Sequence, residues 1–189
     1  LVELFKNNTM TFVAGSSWQP DEDLFIEYFN QHPEVKLIIA PHVIDENHLV
    51  EIIRKLKRPY VRYTRADEKN VRKADCLIID CFGLLSSIYR YGEIAYIGGG
   101  FGVGIHNTLE AAVYGIPVIF GPKYQKFQEA IRLLEAKGGF SIKSYEELKA
   151  LLDRMLEDEE FLRESGMNAG LYVTDNAGAT DKVLNMINF

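Results

Sequence analysis

Long apolar runs are missing from this chain of 189 residues. No stretch approaches the roughly 20 residues needed to cross a bilayer, and the opening Leu1-Val2-Glu3-Leu4-Phe5-Lys6 lacks the basic, apolar and small-residue order of a signal peptide. Cysteine is scarce too: Cys76 and Cys81 both belong to one apolar run, where small buried hydrophobes sit, and make no secreted disulfide framework. There is no basic surplus. With 21 Lys+Arg against 27 Asp+Glu the net charge is −6, which excludes a protein built to grip nucleic acid through a broad basic face, so any anionic ligand must be held locally. No His/Cys/Asp cluster has metal-ligand spacing, and no Ser-His-Asp arrangement announces itself. Together these absences lead to the expectation of a soluble, cytosolic chain without a bound metal. The missing initiator Met and abrupt opening lead to the expectation of a piece of a longer protein.

What is present is 47% hydrophobic, 25% charged and 12% aromatic, enough for one substantial core and too little length for two domains. Short β-branched or apolar runs at residues 11–14, 36–40, 60–63, 76–80, 94–97, 117–120 and 139–142 alternate with longer amphipathic ones. Residues 21–31 place Leu24, Phe25, Tyr28 and Phe29 on one stripe, and residues 46–57 do the same with Leu49, Ile52, Ile53 and Leu56. Further helices are predicted over 107–114, 124–137, 145–157, 159–170 and 175–188. The pattern reads as a doubly wound, Rossmann-like parallel sheet in a single domain over 1–189: an α/β core to about residue 170, then a C-terminal helix over 171–189.

In such sheets ligands bind at the carboxyl ends of the strands, which selects the loops at 15–20, 41–46, 81–87, 98–107 and 121–126. The glycine cluster Gly98-Gly99-Gly100-Phe101-Gly102-Val103-Gly104 follows a strand and precedes a helix, but no register satisfies G-x-G-x-x-G. G-x-x-x-x-G-K-[ST] does not occur either, so the cluster is a close-approach or mobile loop that feeds a helix start. Next comes His106-Asn107-Thr108-Leu109-Glu110. Asn107 with Glu110 has capping-box spacing. A carboxylate one turn into a helix can equally accept hydrogen bonds from two ribose hydroxyls. Both readings stay open, and they are compatible.

Phe82-Gly83-Leu84-Leu85-Ser86-Ser87 leads from a strand into a helix, so its amides are candidates for an anion without any Lys or Arg, or else form an ordinary connection. Lys123 and Lys126 stand near another helix start as candidate anion screens, or as solvated lysines. His42 and His106 lie in strand-end loops, whereas His32 and His48 sit on helical patterns and receive no chemical role.

The run Gly98-Gly99-Gly100…His106-Asn107-x-Leu109-Glu110-x-Ala112…Gly115-x-Pro117-Val118-x-Phe120-Gly121-Pro122…Phe127 resembles the donor-binding half of GT-B glycosyltransferases, and more narrowly the 3-deoxy-D-manno-octulosonic acid (Kdo) transferases. Three segments add to the resemblance: Ala14-Gly15-Ser16-Ser17-Trp18, Ile39-Ala40-Pro41-His42, and Asp80-Cys81-Phe82-Gly83-Leu84-Leu85 with Tyr89. The resemblance implies CMP-Kdo as the donor. It places Asn107 and Glu110 near the ribose, Gly83, Leu84, Leu85 and Ser86 near the phosphate, and Pro41 and His42 near the cytosine. Ser16, Gly99, His106 and Lys123 complete the implied site. The chain departs from the family at Pro41, where many members carry Arg, and at Leu84, where they carry Glu. The family further implies a preceding domain with the lipid A precursor as acceptor and a catalytic carboxylate, and a location at the cytoplasmic face of the inner membrane, with membrane contact through that other half. The chain by itself is then expected to bind nucleotide without turnover.

Overall fold

In the computed structural model, which describes residues 1–177, seven parallel strands form one sheet. They are β1 (Met10–Ser17), β2 (Val35–Pro41), β3 (Tyr60–Arg62), β4 (Cys76–Ile78), β5 (Ile94–Ile97), β6 (Val118–Phe120) and β7 (Gly139–Ser141), in the spatial order β3-β4-β2-β1-β5-β6-β7. The helices are α1 (Val2–Lys6), α2 (Gln19–Gln31), α3 (Glu46–Lys55), α4 (Glu68–Val71), α5 (Leu85–Ile88), α6 (Leu109–Ala112), α7 (Gln128–Glu135), α8 (Tyr145–Glu157) and α9 (Glu159–Ala177).

The central strands are near-continuous apolar runs because helices cover both of their faces. Alternation along them separates two cores. Phe12, Ala14, Leu37 and Ile39 pack with Phe25, Phe29 and Ile52 on the α2–α3–α8 side. Val13, Ile38, Ala95 and Ile97 pack with Ala111, Ala112, Leu133 and Ala169 on the α6–α7–α9 side. All seven predicted strands are present, with ends moved by up to three residues. The chain runs leftward from β1 through β2 to β3, fills in β4, then crosses to β5, so the direction reverses between β1 and β5. The crevice above that reversal is where open α/β sheets hold ligands.

Several helices differ from the prediction. The expected 107–114 helix shrinks to α6, because Asn107 forms a side-chain turn on the Leu109 amide and Gly115, at φ +67°, ends the segment. The 124–137 helix starts only at Gln128, since the Lys123 amide bonds to Gly100 and Phe127 stays extended. Helix α9 runs unbroken past residue 170, where two helices were expected, and Tyr172 and Val173 pack on the same core as Ala169. Its glycines seat it: a Cβ on Gly166 would strike the Gly115 carbonyl. The rest of the expected C-terminal helix, residues 178–189, lies outside the described residues. Among the described residues no helix is long and apolar enough to cross a membrane.

Candidate functional site

At the carboxyl edge β1 ends in a bulge, with its register shifting between Gly15 and Ser17 and Ser16 held at φ +52°. Left-handed backbone at a residue other than glycine is costly and collects at functional sites. The bulge is pinned from the next strand's loop. Gly98 has no room for a Cβ, which would collide with the Ser16 carbonyl, and a Cβ on Gly100 would fall 2.6 Å from the Gly121 backbone. These glycines let three strand-end loops touch, backbone on backbone, which accounts for a cluster that fits no dinucleotide pattern.

Asp21, in the first turn of α2 and buried, locks two of the loops together. Its carboxylate accepts the Trp18 amide at 3.0 Å and the Gly99 amide at 2.9 Å, while the Tyr96 hydroxyl donates to it at 2.9 Å. Burial pushes its pKa above the usual 3.8 despite those bonds. The neighbouring Glu22, also buried, accepts the Ser17 hydroxyl at 2.9 Å and faces His48 Nε2 at 2.8 Å. Asp80 does the same for β4: it accepts the Thr64 amide at 2.9 Å, the Thr64 hydroxyl at 2.6 Å and Arg62 Nε at 2.8 Å. Burial raises that carboxyl, and the Thr64 and Arg62 bonds outweigh it, leaving it below the ordinary value.

On this frame three rings meet. Trp18 stacks on His42 with centroids 4.6 Å apart, and His42 stacks on His106 at 4.5 Å. The indole Nε1 donates to His106 Nε2 at 3.4 Å. Burial, and then the adjacent His42, push the His106 imidazole below its usual 6.5 against the opposing pull of Asp21 and Glu110. One turn on, Asn107 Nδ2 donates to Glu110 Oε1 at 3.2 Å, and Asn107 Oδ1 accepts the Leu109 amide at 3.0 Å. This corrects the capping-box expectation, in which Glu110 returns to the Asn107 backbone. The carboxylate is instead held by a side-chain amide and stays half-exposed.

The structure gathers Ser16, Pro41, His42, Gly83 and Leu85 around one cleft of about 240 Å³ together with Cys81 and Phe82. His106 and Asn107 line a second, open one of about 560 Å³. The His42–His106 stack joins the two. Around the turn at Gly83, which sits at φ +84°, the amides of Leu84, Leu85 and Ser86 have no acceptor among the described residues. Three of the residues from the sequence reading are less free than expected. Gly99 is buried with its amide on Asp21 and its carbonyl on the Gly102 and Gly104 amides. Pro41 is a buried strand residue. Lys123 Nζ donates to the Gly102 carbonyl at 2.9 Å, so its first bond is within the protein. Trp18 and Asp21 were not singled out as site residues; the signals for them were the chain's one tryptophan at the end of the first strand and an acid three residues on, after Pro20.

No protein-family model matches the chain. Among curated proteins it is 33% identical to the 3-deoxy-D-manno-octulosonic acid transferase of Aquifex aeolicus over 76% of this chain and 41% of the relative. It is also 33% identical to that of Rickettsia conorii over 98% of this chain and 42% of the relative. The chain thus spans less than half the length of these curated relatives. Of solved structures, the C-terminal CMP-Kdo binding domain of WaaA from Acinetobacter baumannii superposes with a TM-score of 0.77 at 19% identity, covering 90% of this chain and 92% of that one. In sequence the chain resembles the Kdo transferases, and in fold it is a Rossmann-like α/β domain of the GT-B kind that matches the C-terminal domain of WaaA.

Proposed function

We propose that the chain is the donor-binding domain of a Kdo transferase and holds CMP-Kdo among the loops that follow β4, β2, β1 and β5. The observation that carries this reading is the Trp18–His42–His106 stack, which lies where the strand order reverses and adjoins the Asn107–Glu110 pair. Flat rings suit a pyrimidine base. A half-exposed carboxylate with one oxygen already fixed by Asn107 suits a ribose diol. The free amides of Leu84, Leu85 and Ser86 suit a phosphate, so an acidic protein binds an anion through backbone donors.

In the whole enzyme an acceptor hydroxyl of the lipid A precursor attacks the anomeric carbon of Kdo. The new C–O bond forms as the bond to the phosphate breaks, CMP leaves, and the hydroxyl proton passes to a carboxylate of the other domain. In this reading the transfer inverts the anomeric centre, uses no metal and takes place at the cytoplasmic face of the inner membrane. Because alignment across a two-domain cleft supplies most of the rate, the chain alone binds donor without transferring Kdo.

The test is Glu110→Gln. Loss of CMP binding by calorimetry with the melting temperature retained supports the ribose role. Intact CMP binding contradicts it. Two other readings are a UDP-sugar GT-B domain and a nucleotide-binding module without chemistry, and CMP against UDP affinity separates the first of them.

A further inference from the structure

The Trp18–His106 contact carries more than packing. A neutral imidazole has one N–H and one bare nitrogen, and the partner of one fixes the state of the other. An indole Nε1–H can only donate. Since Trp18 Nε1 sits 3.4 Å from His106 Nε2, that nitrogen must be the acceptor, which leaves the proton on Nδ1. The Cδ2 edge of the ring is turned towards the protein, 3.3 Å from where a Cβ on Gly99 would stand. Nδ1, on the opposite edge, has no partner among the described residues, and His106 lines the open cleft. Three constraints hold the donor in place. Asp21 binds the Trp18 amide, the same carboxylate binds the Gly99 amide behind the imidazole, and His42 stacks on both rings.

We propose that Trp18 is a positioning residue: by donating to His106 Nε2 it holds that histidine as the neutral Nδ1–H tautomer, so that His106 meets a phosphate oxygen of the bound nucleotide as an uncharged hydrogen-bond donor. The proposal rests on the donor-domain reading and deepens it. Burial and the adjacent His42 disfavour the charged form of His106, so near neutral pH the tautomer, more than the charge, decides what the ring offers. Without the indole donor, Nε2 is released to carry the proton and Nδ1 becomes an acceptor that repels the same oxygen.

The experiment is nitrogen NMR of the histidine side chains in the 189-residue chain, with calorimetry against CMP and cytidine. Wild-type His106 is expected to show Nδ1 protonated and Nε2 bare at neutral pH. In Trp18→Phe the pattern is expected to invert or average, and CMP affinity to fall roughly tenfold further than cytidine affinity does, the size of one hydrogen bond to a charged group. Nε2 protonated in the wild-type chain overturns the proposal without any variant. So does an equal loss for CMP and cytidine in Trp18→Phe, which makes the indole a base platform, or an unchanged CMP affinity with the tautomer moved. Failure of the wild-type chain to bind CMP at all overturns the donor-domain reading instead, and is told apart because the tautomer is measured without ligand.

Discussion

The two edges of the sheet differ in the balance of charge that braces them, although Glu93 accepts the Thr11 amide at 2.8 Å at the amino edge and Arg62 pairs with Asp80 at the carboxyl edge. At the amino edge cations close on carbonyls. Lys36 Nζ, buried, donates to the carbonyls of Phe5 at 2.6 Å and Ala74 at 3.1 Å, and Arg58 reaches those of Phe29, His32, Val35 and Pro33 at 2.9–3.1 Å while lying over the Phe29 ring. At the carboxyl edge buried acids close on amides: Asp21 on Trp18 and Gly99, Asp80 on Thr64. The parallel sheet dictates this division. Helices end near the amino edge, where their last carbonyls are orphaned, and begin near the carboxyl edge, where their first amides are. Asp21 and Asp80 consume only part of the carboxyl edge's supply of donors, and the amides at residues 84–86 remain. A net charge of −6 therefore does not conflict with the anionic ligand proposed, because the edge proposed to receive it is donor-rich through its backbone.

The sharpest way to break this comparison is a pair of substitutions. Arg58→Ala removes one cation from four carbonyls and is expected to cost roughly 3 kcal/mol of stability, since several buried acceptors lose their partner at once. CMP affinity should be unchanged. Asp21→Asn keeps one acceptor oxygen and turns an amide against a former donor, so about 2 kcal/mol is expected, together with weaker CMP binding because Trp18 and the Gly99 loop lose their shared anchor. Urea unfolding and calorimetry on both variants check the pair. Equal effects on affinity would dissolve the distinction between a structural edge and a binding edge.

A smaller effect is expected from pH. The folded pKa of His106 lies below its usual 6.5, so the unfolded chain takes up that proton first as the solution is acidified. This contribution to stability is complete above about pH 6.5 and is lost as pH falls through that value toward the folded pKa. Asp80, also below its ordinary value, adds a loss only at more acid pH, around and below 3.8. Unfolding free energies measured from pH 7.5 to 5.5 should thus fall less in His106→Gln than in the unmodified chain.

Much of the fold was legible because periodicity is local. Every strand and the long covering helices of one face, α2, α3 and α8, follow from which residues recur on one side. The site was legible in part: the loops to search follow from the alternation, and His106, Asn107 and Glu110 from their spacing. What spacing could not show is which partner each side chain takes. Asn107 and Glu110 pair as expected three residues apart, yet through the side-chain amide, since the turn at 107–109 uses the Asn carbonyl first. Trp18 and His106 stand 88 residues apart, and only the reversal of strand order between β1 and β5 brings them together. The glycine cluster reads like a phosphate cradle because glycines serve any close backbone approach; here the approaching backbones are those of Ser16 and Gly121.

The central claim is that the carboxyl edge between β1 and β5 is a cytidine nucleotide site. Calorimetric titration of the chain with CMP and, in parallel, with UDP tests it most directly. Saturable CMP binding, with UDP at least tenfold weaker, the margin set by about 1.4 kcal/mol of differential contact, is the predicted result. Equal or stronger binding of UDP, or no binding of either, would contradict it.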